Sequence, residues 1–427
     1  MVTSLSVILW GEEVGRLAWD AQRRRSYFIY NPDFVKCGLN ITPLTAPVKG
    51  SQMLAPIWGE ESSDYQGLPA FLSDALPEGW GRQLLDIWIL RNNMTKESLT
   101  PLDILSLTGN HSMGSFEFIP SHAPVFKGQL DMLQLSDLVS RIRQEGEKAV
   151  LTHDDDATLQ ALMAVGASTR GRQPKMAVAI NRQTEELSVP TAHSLIARKT
   201  NTTRDDSDDY LLKWGDSDLC LAEIEMAYYA MAVKAGIRMM PSGFYLLRRD
   251  KHFITRRFDR MRESKILVQS LAAMNPQAHS YEQLITTCRQ LRLPESDCQE
   301  VFRRMVFNYL ANNTDDHPRK FSFLMHEDGT WQLSPAYDLT PVFDPVDHQP
   351  VRKHHLSLGG QCEDITPYDL LRFARENGIR RSTTILHDVV NALRKFRYFA
   401  QKFGVSEIWT NRIKQVLDDL SPIDNHQ

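Results

Sequence analysis

The stretch NNTDDHPRKF (residues 312–321) places two acids, a histidine, an arginine and a lysine within ten residues. Three interpretations are open for it: a metal cluster, a general base with metal-binding neighbours, or a polar loop exposed to solvent. The sequence on either side helps to discriminate between them.

Before this stretch, SDCQEVFRRMVFNYLAN (296–312) predicts a buried helix. Ser296 and Gln299 have the spacing of a capping box, and apolar residues follow at helical intervals. After the stretch, apolar runs on both sides of HEDGT (326–330) predict a short hairpin, which leads to a second acidic loop at Asp338.

The order helix, acidic loop, hairpin, acidic loop returns Asp338 toward Asp315 at one end of the hairpin. Two carboxylates placed in this way suit a catalytic carboxylate and a magnesium ligand in phosphoryl transfer. Alternatively, Asp338 only caps a turn in front of residues 339–341.

Phosphoryl transfer also requires a phosphate-binding loop and a lysine on a strand. VGASTRGRQPKMAVAI (165–180) predicts a flexible glycine-rich loop, with Gly166 and Gly171, in front of a strand, although such a loop is a weak signal by itself. YLLKWG (210–215) places Lys213 in an apolar strand, where an ammonium is costly unless it faces a pocket or an anion.

A helix is predicted after the strand lysine, over residues 217–234. Gly236 is its expected C-cap. Glu225 on this helix either forms an ion pair with Lys213, as in protein kinases, or is an ordinary surface residue.

A second hairpin is predicted over SGFYLLRRDKHFITRRFDR (242–260), with its turn at Asp250. The chain leaves this hairpin through Phe258 and Asp259. In a protein kinase that exit would be the hinge between the two lobes.

The N-terminal part has its own strand and helix patterns. SLSVILWGEEVGRLAWD (4–20) predicts a hairpin with Gly11 in its turn, and another strand-like run ends at Pro120. The breaker-rich stretch 120–128 is the expected linker to the rest of the chain.

Composition describes an ordinary globular protein, since 42% of the 427 residues are hydrophobic and 24% are charged, and this length predicts two or three domains. The formal charge of -4 gives no field that would hold a nucleic acid, so direct DNA binding would need a local patch. Five cysteines without Cys-x-x-Cys spacing predict reduced thiols. Without a signal sequence or an apolar run of about 18 residues, we expect a cytoplasmic protein that neither enters the membrane nor is exported.

The order of these parts matches the plan of a protein kinase. Nearly the whole chain also resembles the HipA-type serine/threonine kinases, the toxins of bacterial type II toxin–antitoxin modules. The resemblance rests on these motifs: LPAFLSDALPEGWGR (68–82), LDILSLTGNHSMGSFEFIP (102–120), RGRQPKMAV (170–178), YLLKW (210–214), ITRRFDR (254–260), NNTDDHPRKFSF (312–323) and LSPAYDLTP (333–341).

We therefore expect an α+β, two-lobed protein-kinase-like fold. An added N-terminal α+β subdomain would span residues 1–120, a small lobe residues 121–258 and a mainly helical large lobe residues 259–427. The resemblance implies that ATP binds with Mg²⁺ and that adenine is received near Phe258. The residues it assigns to the nucleotide are Gly171, Lys175, Lys213, Glu225, Phe258, Asp259 and Lys320.

In the acidic loops, the resemblance implies that Asp315 is the catalytic base and that Asp338 holds magnesium. His317 beside the base either orients the loop or contacts ATP. Asp316 falls at a variable position and is expected to be solvated.

One position departs from the family's pattern. Where Asp-x-His-x-x-Asn has a magnesium-binding asparagine, this sequence has Lys320, and an ammonium cannot coordinate a cation. Either one metal on Asp338 suffices, with Lys320 adding charge at the phosphates, or catalysis is weak and the chain is in part a pseudokinase.

The expected function is that of an ATP-dependent serine/threonine protein kinase with toxin character. Better-known members of the family phosphorylate aminoacyl-tRNA synthetases, so the protein target would be such an enzyme or another translation factor. A small helix-turn-helix antitoxin would neutralise the toxin and tether it to operator DNA. The resemblance also implies autophosphorylation of Ser168 or the adjacent Thr169, although both hydroxyls could simply bond the loop or ATP.

Two rival functions remain. The first is an ATP-binding interaction protein with poor catalysis, which Lys320 favours. The second is a metallo-phosphoesterase built on DDH (315–317), which is disfavoured because no histidine-rich cluster with ligand spacing accompanies it.

Overall fold

The computed structural model describes residues 2–48, 53–54, 65–126, 129–190, 206–261 and 264–420. The chain forms two compact units. The first comprises Met1–Trp214, Ile254–Gln269 and Met325–Thr330; the second comprises Gly215–Phe253, Ser270–Leu324 and Trp331–Gln427. Within the described ranges, the helices are too short or too polar to cross a bilayer.

The first unit begins with an antiparallel sheet in the order β4-β3-β2-β1-β5. Its strands are β1 (Ser4–Leu9), β2 (Glu12–Asp20), β3 (Arg25–Tyr30), β4 (Met53–Leu54) and β5 (Phe116–Ile119). The predicted N-terminal hairpin is confirmed, and Gly11 in its turn has a φ of +81°, which glycine adopts without steric cost.

Among the described residues, six helices accompany this sheet in the first unit. They are α1 (Pro32–Lys36), α2 (Ala70–Ser73), α3 (Trp80–Arg91), α4 (Pro101–Thr108), α5 (Met132–Glu145) and α6 (Asp156–Gly166), with 3₁₀ turns at Lys96–Ser98, Gly146–Lys148 and His153–Asp155. Of these, α1 and α4 pack against the sheet. The start of α4 shows why these segments are helical. Thr100 and Asp103 form a reciprocal capping box, and Pro101 occupies the first turn, where its missing N–H costs nothing.

A second set of strands follows in the first unit: β6 (Lys175–Asn181), β7 (Leu187–Ser188) and β8 (Ser207–Lys213). β6 lies between β7 and β8, and both pairings are antiparallel. The strand predicted after the glycine-rich loop and the strand predicted to contain Lys213 are both confirmed, and Lys213 is the last residue of β8.

The second unit is mainly helical in its C-terminal part. Its helices are α7 (Leu221–Lys234), α8 (Leu271–Met274), α9 (Tyr281–Gln290), α10 (Glu295–Leu310), α11 (Pro367–Glu376), α12 (Ser382–Leu393), α13 (Phe396–Phe403) and α14 (Glu407–Leu420), with a 3₁₀ turn at Pro318–Lys320. The remaining strands, some of which continue into the first unit, are β9 (Ser242–Leu247), β10 (Asp250–Arg256), β11 (Leu267–Ser270), β12 (Ser322–Met325) and β13 (Trp331–Leu333).

Three local predictions need correction. The helix predicted from residue 217 begins at Leu221. The second hairpin turns before Asp250, which already belongs to β10, and Arg248 between the strands has a φ of +54°. The capping box of Ser296 and Gln299 is wrong, because Pro294 is the N-cap of α10 and both residues therefore lie inside the helix.

Buried polar contacts fasten α10 to the hairpin that follows it. Arg304 is buried in the helix and donates from Nη2 to Ser334 O at 2.6 Å, while Asp297 accepts from Leu333 N at 3.0 Å. Charged groups are rarely buried unless they are paired, so these contacts fix the position of the hairpin against the helix. The loop after the hairpin, which contains Asp338, is positioned as a result.

Candidate active site

Lys320 links the two acidic loops of the second unit. Its Nζ lies 3.0 Å from Asp315 Oδ2 and donates a short hydrogen bond to Asp338 Oδ2. Burial lowers the pKa of the Lys320 ammonium, but Asp338 and Asp315 raise it more, so the group stays charged. The order helix, loop, hairpin thus brings Asp315 and Asp338 close together, as predicted, with Lys320 between them.

The three side chains differ in their access to solvent. The Asp315 side chain is 46% exposed, whereas that of Lys320 is only 15% exposed. Asp338 has a φ of +60°, a left-handed conformation that aspartate tolerates better than most residues. Of the two carboxylates, Asp315 is the more exposed, since the Asp338 side chain is 23% exposed.

His317 caps the 3₁₀ turn that delivers Lys320. Its Nδ1 accepts a hydrogen bond from Arg319 N at 3.2 Å, and its Nε2 lies 3.8 Å from Asp315 Oδ1. Burial, reinforced by the nearby Lys320 charge, lowers the pKa of His317 to about 4. The ring is therefore neutral at physiological pH, with its proton on Nε2, on the side of Asp315. Its contacts here are those of a residue that orients the loop.

Asp316 was expected in solvent, and that expectation is wrong. Its side chain is fully buried and accepts hydrogen bonds from Tyr281 Oη at 2.7 Å, from His354 Nδ1 at 2.9 Å and from His355 N at 2.8 Å. These partners are 35 to 39 residues away in the sequence, so no local pattern around Asp316 could indicate them.

Asparagines connect the acidic loop to the protein interior. Asn308 of α10 donates to Tyr281 Oη at 3.0 Å and accepts from Asn313 Nδ2 at 2.8 Å. Asn312, with a φ of +57°, donates to Val342 O at 2.9 Å. The residues before Asp315 thus fix the loop, and a network of side chains supports the catalytic candidate.

Magnesium does not fit this arrangement as it stands. Among the described residues, no three or more His, Cys, Asp and Glu side chains are grouped so that they could hold a metal ion. Asp315 and Asp338 offer carboxylate oxygens, the ligands that magnesium prefers, but Lys320 already lies between them. A positive charge from the chain thus lies where a metal was expected.

In the first unit, two lysines that were predicted to bind the nucleotide face each other. Lys175 of β6 and Lys213 of β8 are directly opposite in the antiparallel pairing, and each is only 4% exposed. Like charges in this position are destabilising unless negative charge compensates them. The structure therefore brings Lys175 and Lys213 together on one face of the sheet.

The predicted phosphate loop, residues 167–174, connects the end of α6 to β6. Gly171 in this loop has a φ of +95°, and a Cβ there would lie 2.7 Å from Lys175 Nζ. The lysine ammonium thus packs against the loop backbone. The loop was expected to be flexible, but its backbone is tied: Thr169 N donates to Gly166 O at 3.0 Å, and Gly171 O accepts from Trp80 N at 2.9 Å.

Both predicted phosphorylation sites are buried in this loop. The Thr169 hydroxyl donates to Gly166 O at 2.6 Å, and Ser168 is buried beside it. Arg170 of the same loop forms ion pairs with Asp74 and Glu78, whereas Arg172 is exposed.

At the predicted hinge, the Asp259 carboxylate is buried and already has four donors. These are Arg257 Nε at 2.9 Å, Arg257 Nη2 at 2.7 Å, Arg260 Nη1 at 2.8 Å and Gly114 N at 2.7 Å. The Asp259 side chain is thus fully engaged within the protein, and Phe258 next to it is half-buried. A role for this segment in adenine binding stays a prediction.

Glu225 is buried on α7, so the alternative that it is a surface residue is wrong. Its ion pair with Lys213 stays a prediction. The predicted domain boundaries at residues 120 and 258 likewise stay predictions.

Two regions of the chain match known protein domains. Residues 5–119 match the HipA N-terminal domain, and residues 167–396 match the HipA-like C-terminal domain. A Haemophilus influenzae protein named "Putative kinase" is 28% identical over 31% of this chain and 45% of its own length. The chain thus spans less than half the length of that curated relative.

The HipA chain in a Shewanella oneidensis MR-1 complex of HipA, HipB and operator DNA has a similar fold. The match covers 97% of this chain and 95% of that chain, with a TM-score of 0.65 and 17% sequence identity. The predicted α+β, kinase-like fold class is confirmed. With the C-terminal family match alone spanning more than half of its residues, the chain belongs to the HipA family.

Proposed function

We propose that the chain is an ATP-dependent serine/threonine protein kinase that acts as the toxin of a HipA-type toxin–antitoxin module. The observation that supports it most directly is the convergence of Asp315 and Asp338 on Lys320, with Asp315 open to solvent. A positioned carboxylate beside a fixed cation suits proton removal from a hydroxyl and stabilisation of a phosphoryl group.

In this proposal each group has one task. Asp315 accepts the proton of the target serine or threonine hydroxyl, and Lys320 places positive charge at the transferred phosphoryl group. Lys175 and Lys213, which lie opposite each other on neighbouring strands, bind the phosphates of ATP. No step is assigned to magnesium, because its expected position holds an ammonium.

The family relationship and the net charge of the chain suggest its binding partners. The similar Shewanella protein is in a complex with HipB and operator DNA, which supports a small helix-turn-helix antitoxin as partner. A net charge of -4 supports DNA contact through that antitoxin. The target is a protein, such as an aminoacyl-tRNA synthetase or another translation factor, in the cytoplasm.

An ATP-binding protein with weak catalysis is the second candidate, and Lys320 at the magnesium position favours it. Incubation with γ-labelled ATP and magnesium separates the functions. Label on protein supports the kinase, release of free phosphate alone supports a phosphoesterase, and bound nucleotide without either product supports the second candidate. The Asp315→Asn variant is the control for contaminating kinases.

A further inference from the structure

The segment DALPEGWG (residues 74–81), here called the clasp segment, contacts the phosphate loop within the first unit. Trp80 N, at the start of α3, donates to Gly171 O at 2.9 Å. A Cβ on Gly81 would lie 2.6 Å from Ala167 O and still closer to Thr169 O. The two backbones therefore touch with no side chain between them.

Gly79 makes the same kind of contact at the other end of the loop. A Cβ on Gly79 would lie 2.6 Å from Gly171 C, and this residue has a φ of +53°, which side chains rarely adopt. Both glycines face backbone atoms, which cannot rotate away as a flexible side chain could. The conformation of the loop therefore depends on the absence of side chains at these two positions.

Ion pairs also connect the clasp segment to the phosphate loop. Arg170 of the loop lies 2.5 Å from Asp74 Oδ1 and forms a further close ion pair with Glu78. All three side chains are at least partly buried, so solvent screens the pairs weakly. The clasp segment thus holds the loop by hydrogen bond, by backbone packing and by charge.

We propose that the clasp segment is a positioning element that fixes the phosphate loop in the conformation that receives the phosphates of ATP. This inference rests on the proposed kinase function. A loop that binds phosphate through backbone N–H groups must orient its peptide planes, and fixing them in advance removes the entropic cost of ordering them on binding. The N-terminal region would thereby set nucleotide affinity without touching the nucleotide.

The test compares Gly81→Ala with Gly243→Ala in the full-length protein. Neither glycine has a positive φ, and a Cβ on Gly243 meets nothing within 4 Å, so the second variant is the matched control. Amide hydrogen exchange of residues 167–172 is measured without nucleotide, ATP affinity by calorimetry, and KM and kcat in the transfer assay. A double variant, Asp74→Asn with Glu78→Gln, loosens the loop without a steric clash and decides the test if Gly81→Ala does not fold.

We expect loop amides in Gly81→Ala to exchange about tenfold faster and ATP to bind about tenfold more weakly, with kcat at saturating ATP nearly unchanged. Gly243→Ala should match the wild type in all of these. Wild-type loop exchange and ATP affinity in the tested variant would overturn the inference. Failure of the wild-type chain to bind ATP would instead overturn the proposed function, while the exchange data would still report on the clasp.

Discussion

Lys320 Nζ lies 3.0 Å from Asp315 Oδ2 while it also bonds Asp338, so one lysine pairs with two carboxylates that come from different loops. This relationship explains how the acids can lie close together. It also makes Lys320 the position whose replacement is most informative.

Lys320→Asn should destabilise the protein by about 1–2 kcal/mol in metal-free buffer, because Asp315 and Asp338 then repel each other, with partial screening at Asp315. Magnesium should recover that stability and raise transfer activity, since asparagine offers an oxygen ligand. Urea unfolding and the transfer assay, each with and without magnesium, measure this. Lys320→Met is the matched control that supplies no ligand. Lower activity of Lys320→Asn at saturating magnesium would show that magnesium does not replace the Lys320 ammonium at the phosphoryl group.

Asp315→Asn should reduce phosphoryl transfer by about 10²-fold or more, because the amide cannot accept the hydroxyl proton. ATP affinity should stay unchanged, since the group acts on the nucleophile. Asp338→Asn, which keeps a residue that tolerates a φ of +60°, should instead lower stability, because Lys320 loses one of its two carboxylate partners. Thermal-shift titration with ATP and a transfer assay distinguish these effects. An Asp315→Asn variant with wild-type activity would refute its assignment.

Asp316→Asn should destabilise the second unit by about 1–3 kcal/mol, because an amide cannot accept all three hydrogen bonds that the buried carboxylate accepts. Asp154→Asn, at an exposed position, is the control and should change stability by less than about 0.5 kcal/mol. Urea unfolding of both variants measures the difference. Equal stability of the two would show that the Asp316 network is energetically neutral.

His317→Gln should make stability less sensitive to acid. The pKa of His317 is lowered to about 4, below its ordinary value of 6.5, so the unfolded chain binds more protons between these values and stability falls as pH falls through this window. Glutamine removes this contribution. Unfolding free energies from pH 7.5 to pH 4 should therefore decline less steeply in the variant, and parallel curves for the two proteins would contradict the assignment.

Ser168 should gain phosphate when the active protein is incubated with ATP and magnesium, and the modified form should bind ATP more weakly. About 1.5 to 2 negative charges in the loop would repel the phosphates of ATP, and Arg170 is already paired with Asp74 and Glu78. Phosphosite mapping and calorimetry check this, with Ser168→Ala and Thr169→Val distinguishing the two hydroxyls. An active preparation without phosphate on either residue would rule the switch out.

Local patterns predicted the elements well, since periodicity and turn residues depend on neighbours in the chain. The strand of Lys213, the hairpin around HEDGT and the N-terminal hairpin were all predicted from their own sequences. The ends of elements were less certain. At α10, a capping-box pattern at Ser296 and Gln299 was outweighed by Pro294, whose extended conformation starts the helix earlier.

Local patterns of this kind cannot predict contacts between residues that are far apart in the sequence. The burial of Asp316 depends on Tyr281 and His354, which lie far away in the sequence, and the resemblance to a family wrongly suggested a solvated side chain. In the sequence, Lys320 was noticeable only because it replaces the family's metal-binding asparagine. Nothing in the local pattern indicated that it would pair with Asp338. The contacts of Gly79 and Gly81 had no local signal, because a glycine in a sequence does not name the backbone that approaches it.

The bridge formed by Lys320 has a consequence for how the two acids respond to their surroundings. A bound metal ion dissociates, exchanges with other metals and is removed by chelators, whereas an ammonium attached to the chain does none of these. The positive charge between Asp315 and Asp338 is therefore a covalent part of the chain, and it persists when free divalent ions are scarce.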